Sequence, residues 1–243
     1  MIDSHAHLDD RKFNKDREDV ISRARESLKH VLNPASTPQS NKKIQEIWSA
    51  HRDFIYPCYG VDPISELRYG RQDIMEWISE QKEVKAIGEI GLDYHWSQDR
   101  ETQKKNFIEW LEFANELGKP VVIHLRKSID DGLDLLEKYS NVDVVIHCFS
   151  GNQEQLRRCV DNGFFVSFAT NAILFRNKYM KLIERCPLEN MLFETDSPYL
   201  WRGRNEPQNV RELYELASEI KGERFIGLER LIDNNFYKVF GRA

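Results

Sequence analysis

The sequence has no run of about 18 apolar residues, which excludes a membrane-spanning helix. No basic segment followed by an apolar core opens it, so no secretory signal is expected and the protein is expected to be cytoplasmic. Its four cysteines, Cys58, Cys148, Cys159 and Cys186, form no Cys-x-x-Cys pair. Cys58 and Cys148 lie in apolar runs that resemble core strands, and the set reads as buried thiols of a reducing compartment. No Pro/Gly/Ser-rich linker or low-complexity tract divides the chain, which predicts one domain over residues 1–243. Positive charge is not in excess: the formal net charge is −5. Bulk charge therefore offers a polyanion no long-range attraction, and any nucleic acid would have to be held by a local basic patch or by metal ions.

What is present is an alternation. The composition, 40% hydrophobic and 31% charged, is that of a globular protein. An apolar strand over 2–8 is followed by a helical pattern over 15–30 and a short strand over 30–34. A helix marked by Ile44, Ile47 and Trp48 precedes a third strand, 54–61, closed by Asp62-Pro63. The pattern repeats with strands at 84–91, 120–124, 142–149, 164–168 and 191–196, each preceded by a helical stripe; Gly118 is placed to end the longest of these helices. Two more helices, 210–220 and 225–240, follow. Eight near-continuous apolar strands separated by helices describe an all-parallel sheet covered on its outside. In a chain of 243 residues they predict a (β/α)8 TIM barrel of the α/β class with C-terminal helices, whose site lies at the C-terminal strand ends. An open doubly wound sheet is the alternative, but no Gly-x-Gly-x-x-Gly follows an early strand.

Potential metal ligands gather at those strand ends. His5 and His7 share one face if 2–8 is a strand of period two, Glu89 ends the fourth strand, and His124, His147 and Asp196 end the fifth, sixth and eighth. Singly, each has a plainer role, as a core histidine bonded to a carbonyl, a helix cap or a turn residue. Together, four imidazoles and two carboxylates in one barrel mouth would be costly to desolvate without a cation, and mixed nitrogen and oxygen donors suit a divalent metal.

Five segments are similar to those of the TatD family of metal-dependent deoxyribonucleases, within the amidohydrolase superfamily. They are Asp3-Ser4-His5-Ala6-His7-Leu8-Asp9, Ala86 to Tyr94, Pro120 to Arg126, His147-Cys148-Phe149-Ser150-Gly151 and Glu194 to Leu200. The resemblance covers essentially the whole chain. It implies two divalent ions (Mg²⁺, Mn²⁺ or Zn²⁺), with His5, His7 and Asp196 on one, His124 and His147 on the other and Glu89 bridging. It further implies a 3′-to-5′ exonuclease acting on DNA or RNA. One position departs: where the family commonly has Gly-x-His-Pro, this chain reads Gly60-Val61-Asp62-Pro63. Asp62 could repel a phosphate, face a metal or cap the next helix, and the cap is the expected role.

Asp196 and Glu89 are the candidate catalytic groups, with Asp196 placed to orient the attacking water and take its proton. Arg126 could pair with a phosphate oxygen, and Tyr94 and His95, with Trp96, Phe149, Tyr199 and Trp201, could supply rings for unpaired bases. Lys127, Arg202 and Arg204 could extend a basic rim. A single-stranded or terminal substrate suits a barrel mouth better than intact duplex. The competing readings are a hydrolase of amide or ester bonds and a non-catalytic metal-binding protein. The former commonly bridges its metals with a carboxylated lysine on the fourth strand, where Glu89 stands here; the latter would not need all six ligand positions.

Overall fold

The computed structural model describes residues 1–242. Strands β1 (Ile2–Asp3), β2 (His30–Pro34), β3 (Ile55–Tyr59), β4 (Ala86–Asp93), β5 (Val121–Arg126), β6 (Val144–Ile146), β7 (Phe165–Ala169) and β8 (Met191–Glu194) pair in that order, every neighbour parallel. The ring closes where Ser4 N–H donates to the Phe193 carbonyl (2.9 Å) and Asp196 N–H to the His5 carbonyl (2.9 Å). This is the predicted TIM barrel.

Helices α1 (Arg17–Arg25), α2 (Pro38–Ala50), α3 (Pro63–Tyr69), α4 (Gln72–Ser79), α5 (Arg100–Leu117), α6 (Ile129–Tyr139), α7 (Gln153–Asp161), α8 (Asn171–Leu174) and α9 (Arg176–Arg185) surround the strands. The α5 stripe of Phe107, Trp110, Leu111 and Ala114 is buried, and Gly118, at φ 59°, ends it in the left-handed conformation that glycine adopts without penalty. The tail supplies α10 (Arg211–Lys221) and α11 (Phe225–Phe240). Phe236, Val239 and Phe240 of α11 pack against Ile2, Leu32, Tyr56, Phe165 and Leu192 inside the barrel. The Tyr56 hydroxyl donates to the Gly241 carbonyl (3.2 Å), so this tail seals the N-terminal end and leaves the C-terminal end for chemistry. Among the described residues no helix is long and apolar enough to cross a membrane.

Three strands are shorter than the apolar runs suggest: β1 stops at Asp3, β6 at Ile146 and β8 at Glu194. Beyond them the backbone leaves the ladder, bending at Ser4, turning at His147-Cys148 and taking φ 52° at Asp196, and is tied by single bonds. Ala6 N–H donates to Leu32, His7 N–H to Ser197 and His147 N–H to Ile123, so apolar patterning runs past the regular ladder. Helix α3 begins at Asp62-Pro63, with Asp62 in the cap position expected for it.

Inside the barrel three strands change character after one pleat. Val122, Val145 and Leu192 fill the apolar layer, and two residues later on the same strands or their extensions come His124, His147 and Glu194. Side chains alternate faces with period two, so both layers point inward. On β4 the parity fails: Ala86 would direct Gly88 inward, yet a register shift between Ile87 and Ile90 turns Glu89 toward the imidazoles. A Cβ on Gly91, at φ 142°, would lie 2.1 Å from the His124 carbonyl oxygen. Gly91→Ala should therefore push β4 from β5 beside His124, costing about 2–4 kcal/mol. A thermal melt should fall by roughly 5–15 °C; an unchanged melt would show that the two backbones have room to part.

Candidate metal centre

The six predicted ligands do meet. His5 Nε2 and His7 Nε2 lie 3.3 Å apart, and His124 Nδ1 and His147 Nε2 lie 3.2 Å apart. Glu89 stands between the two pairs. One oxygen, Oε1, lies 2.8 Å from His124 Nδ1 and 2.9 Å from His147 Nε2; the other, Oε2, lies 3.6 Å from His5 Nε2 and 3.7 Å from His7 Nε2. Asp196 Oδ1 completes the His5–His7 side at 3.3 Å from His7 and 3.8 Å from His5.

The far nitrogens explain the aim of three of the rings. His7 Nδ1 donates to the Pro34 carbonyl (3.2 Å), His124 Nε2 to Asp93 Oδ2 (3.2 Å) and His147 Nδ1 to Glu194 Oε1 (3.3 Å). Each leaves its other nitrogen facing the centre, the arrangement by which outer acceptors orient metal-ligating histidines. His5 is the exception. It is fully buried, its Nδ1 has no partner, and its ring stacks on His147 with centroids 4.1 Å apart.

Donors on a tetrahedral ion with bonds of about 2.0–2.1 Å stand roughly 3.3–3.4 Å apart, close to the spacing within each histidine pair. His5, His7 and Asp196 form one compact donor group, and His5, Glu89 and His147 another. By spacing and chemistry the residues fit divalent cations.

Without a cation the centre holds protons instead. Burial drives the His7 imidazole toward neutrality, but the Asp196 hydrogen bond and the charges of Asp196 and Glu89 outweigh it and hold the ring at about 10. His124 likewise resists burial through Asp93 and Glu89 and sits at about 9, and His147 is raised through Glu89 and Glu194. Burial opposes ionisation of Glu89, yet the surrounding imidazoles carry it well below the usual carboxylate range; His7 does the same for Asp196. His5 is lowered, by burial and then by the charge of His147 beside it.

Sequence reasoning missed the supports. Glu194 is wholly buried and also accepts from Cys148 N–H (2.8 Å). Asp3 accepts from Thr195 N–H (2.9 Å), the Thr195 hydroxyl (2.5 Å) and His5 N–H (3.2 Å), tying the first and last strands. Period two from Leu192 marks Glu194 as inward; nothing in the pattern marks Asp93 as a partner of His124.

Two hollows flank the centre. One of 280 Å³ is lined by His7, Asp9, Asp10, Asp62, Glu89 and Asp93, with Trp96, Arg126 and Tyr199 at its rim. The other, of 520 Å³, lies past His147 and Asp196 toward Cys148, Asn171, Phe175, Lys178 and Tyr179. Arg126 borders both, its guanidinium 5.5 Å from the Trp96 ring. Asp62 takes the expected cap, its Oδ1 accepting from Ile64 N–H (2.9 Å) and Ser65 N–H (3.1 Å), and also lines the smaller hollow.

The expected substrate contacts are dispersed. Tyr94 is buried and donates its hydroxyl to Asp131 (2.8 Å), bordering a different hollow with Lys127 and Arg100. His95 is exposed against Trp96. Phe149 is core rather than rim because its ring packs on Phe168. Arg204 pairs with Asp16, and Arg202 lies over Trp201. The most exposed rings are Trp96 at 67% and Phe175 at 61%, the second of which the sequence did not single out. All four cysteines are free; Cys148 is half-buried and the other three are buried.

Comparison with known proteins agrees with this geometry. A family described as TatD related DNase matches residues 2–241. A Bacillus subtilis protein named as an uncharacterized metal-dependent hydrolase, YabD, is 32% identical over 99% of this chain and 98% of its own length. A Pantoea ananatis protein named 3′-5′ ssDNA/RNA exonuclease TatD is 32% identical over 99% of both. The crystal structure of a TatD homolog from Escherichia coli, YjjV, superposes with a TM-score of 0.91 at 24% identity, covering 100% of this chain and 98% of that one. The chain belongs to the TatD-related DNase family and is a metal-dependent hydrolase.

Proposed function

We propose that this hydrolase is a phosphodiesterase, a deoxyribonuclease that removes nucleotides from the 3′ end of single-stranded or frayed DNA, with RNA as a second substrate. The observation that carries it is the division of Glu89: one oxygen toward His124 and His147, the other toward His5 and His7. On this reading His5, His7 and Asp196 would hold one divalent ion, His124 and His147 would hold a second, and Glu89 would be shared. Ions so held would supply Lewis acidity to the phosphate oxygens and acidify water. The name of the Pantoea relative supports the choice of single-stranded nucleic acid and of polarity. Four free thiols are in keeping with a reducing cytoplasm.

The protein's own groups then have distinct tasks. Asp196 orients the attacking water and accepts its proton. Arg126, at the edge of both hollows, pairs with a non-bridging oxygen. Trp96 offers an exposed face on which a base stacks without being read. An acidic side chain at the bridging position, rather than a carboxylated lysine, favours phosphodiesters over amides and esters.

Chelator-stripped protein should lose at least about 100-fold of its activity on single-stranded DNA, with Mg²⁺, Mn²⁺ or Zn²⁺ restoring it. Assays on DNA, RNA and an ester panel, with and without added metal, test this directly. Full phosphodiesterase activity in stripped protein would overturn the metal mechanism, and faster turnover of the esters than of the oligonucleotides would overturn the substrate class.

A further inference from the structure

The two hollows that meet at the metal centre share Arg126 but differ in their further charges, acids in the smaller and Lys178 in the larger, and this asymmetry bears on why a strand would be cut from its end. The smaller, of 280 Å³, has four carboxylates that are not proposed metal ligands: Asp93, which holds His124, and Asp9, Asp10 and Asp62. Each is already engaged by the protein. Asp9 accepts from Asn33 Nδ2 (2.8 Å), Asp10 from Lys12 N–H (2.7 Å) and the Tyr199 hydroxyl (2.5 Å), and Asp62 from the first turn of α3. They are therefore fixed in place and not poised to capture a cation. The larger, of 520 Å³, has Lys178 in its wall, Asn171 as a neutral polar group, and the rings of Phe175 and Tyr179.

Ligand pockets span roughly 300–1,000 Å³. The larger hollow is thus ample for a nucleotide with its phosphate, whereas the smaller lies at the lower bound and suits one nucleoside. A phosphate entering the smaller hollow would face fixed negative charge at close range, where solvent screens poorly. A nucleoside ending in a hydroxyl could give its proton to one of these carboxylates.

Resting on the phosphodiesterase reading above, we propose that the strand lies over Lys178 and Phe175 in the larger hollow, while its terminal nucleoside enters the acidic one. Asp9, Asp10 and Asp62 make the enzyme end-specific by excluding chain continuation: a further phosphate beyond the terminal nucleoside is repelled. Asp62 then has two tasks at once, capping α3 and guarding the terminal subsite.

The test compares two single-stranded hexanucleotides of one sequence, one ending in a 3′-hydroxyl and the other in a 3′-phosphate, on the metal-supplemented protein. Bis(p-nitrophenyl) phosphate serves as a small diester with neither a 3′-terminal group nor a further phosphate. The hydroxyl-ended strand should be cut at least about ten-fold faster in kcat/KM, a preference that shrinks as salt is raised. Asp10→Asn with Asp62→Asn should narrow it to about three-fold or less, since asparagine keeps the caps while removing the charge. Lys178→Ala should raise KM for the hexanucleotide by a larger factor than for the small diester; fluorescence anisotropy of a 5′-labelled strand should show the same loss of affinity in chelated protein. Turnover of the small diester with equal rates on both strands would overturn this inference alone. Inactivity on all three substrates would overturn the phosphodiesterase reading, and this inference with it.

Discussion

Glu89→Gln is expected to cut phosphodiesterase activity by more than about 100-fold and to leave the purified protein depleted of bound metal. The substitution is nearly isosteric, so the argument concerns charge. Oε1 contacts His124 and His147, and Oε2 faces His5 and His7, so one side chain touches both halves of the donor set. Loss of an outer group that only orients a ligand typically costs about 10–100-fold in affinity or activity; loss of a group proposed to bind both ions should exceed that. A neutral amide would also place an N–H against imidazole nitrogens that need an acceptor. Glu83→Gln is the control. Glu83 lies before β4, 36% exposed and 2.9 Å from Lys85, an ion pair worth at most about 1 kcal/mol. Its variant should stay within about two-fold of the parent. Metal analysis together with steady-state kinetics reads both, and parallel behaviour of the two variants would remove Glu89 from the bridging position.

The sequence reveals the barrel because each strand run is apolar along its length and each helix carries a stripe, signals that survive without long-range information. It also reveals the ligands, because histidines and acids stand where those runs end. Less visible is anything that depends on how two distant segments meet. The inward turn of Glu89 comes from a register shift against β5 and contradicts the parity of its own strand. Asp93 reaches His124 across neighbouring strands, and Glu194 reaches His147 across 47 residues of chain. The expected reach of Tyr94 into the site fails for a similar reason. Its hydroxyl is claimed by Asp131 on α6, a partner 37 residues away that no local pattern announces. The strand around His5 and His7 gives the opposite case: the ladder stops at Asp3, yet both imidazoles still meet, because single backbone bonds from Ala6 and His7 hold the segment in place.

Metal uptake should be strongly proton-coupled, and its apparent affinity should climb by about 100-fold per pH unit between pH 6 and 8. In the metal-free centre His7 is held at about 10 and His124 at about 9, so both carry protons at neutral pH, and His147 is raised above its ordinary value. An imidazole must shed its proton to bind a metal, and displacement of two or more protons gives a slope of about two or more in log affinity against pH. The slope should flatten above about pH 10, where the rings are already neutral. Calorimetric titration of stripped protein with Mn²⁺, in two buffers of different ionisation enthalpy, counts the protons released; a count of zero would mean the imidazoles are neutral before the metal arrives. The same shifts set the stability of the metal-free fold. Histidines raised above their unfolded value near 6.5 contribute stability that is full below that value and lost as pH rises through about 9 to 10. Glu89 and Asp196, depressed from 4.5 and 3.8, contribute stability that is present above those values and lost as pH falls. Rising pH thus weakens the empty centre while strengthening its hold on metal, so the increase in Tm on adding Mn²⁺ should grow steadily from pH 6 to pH 9.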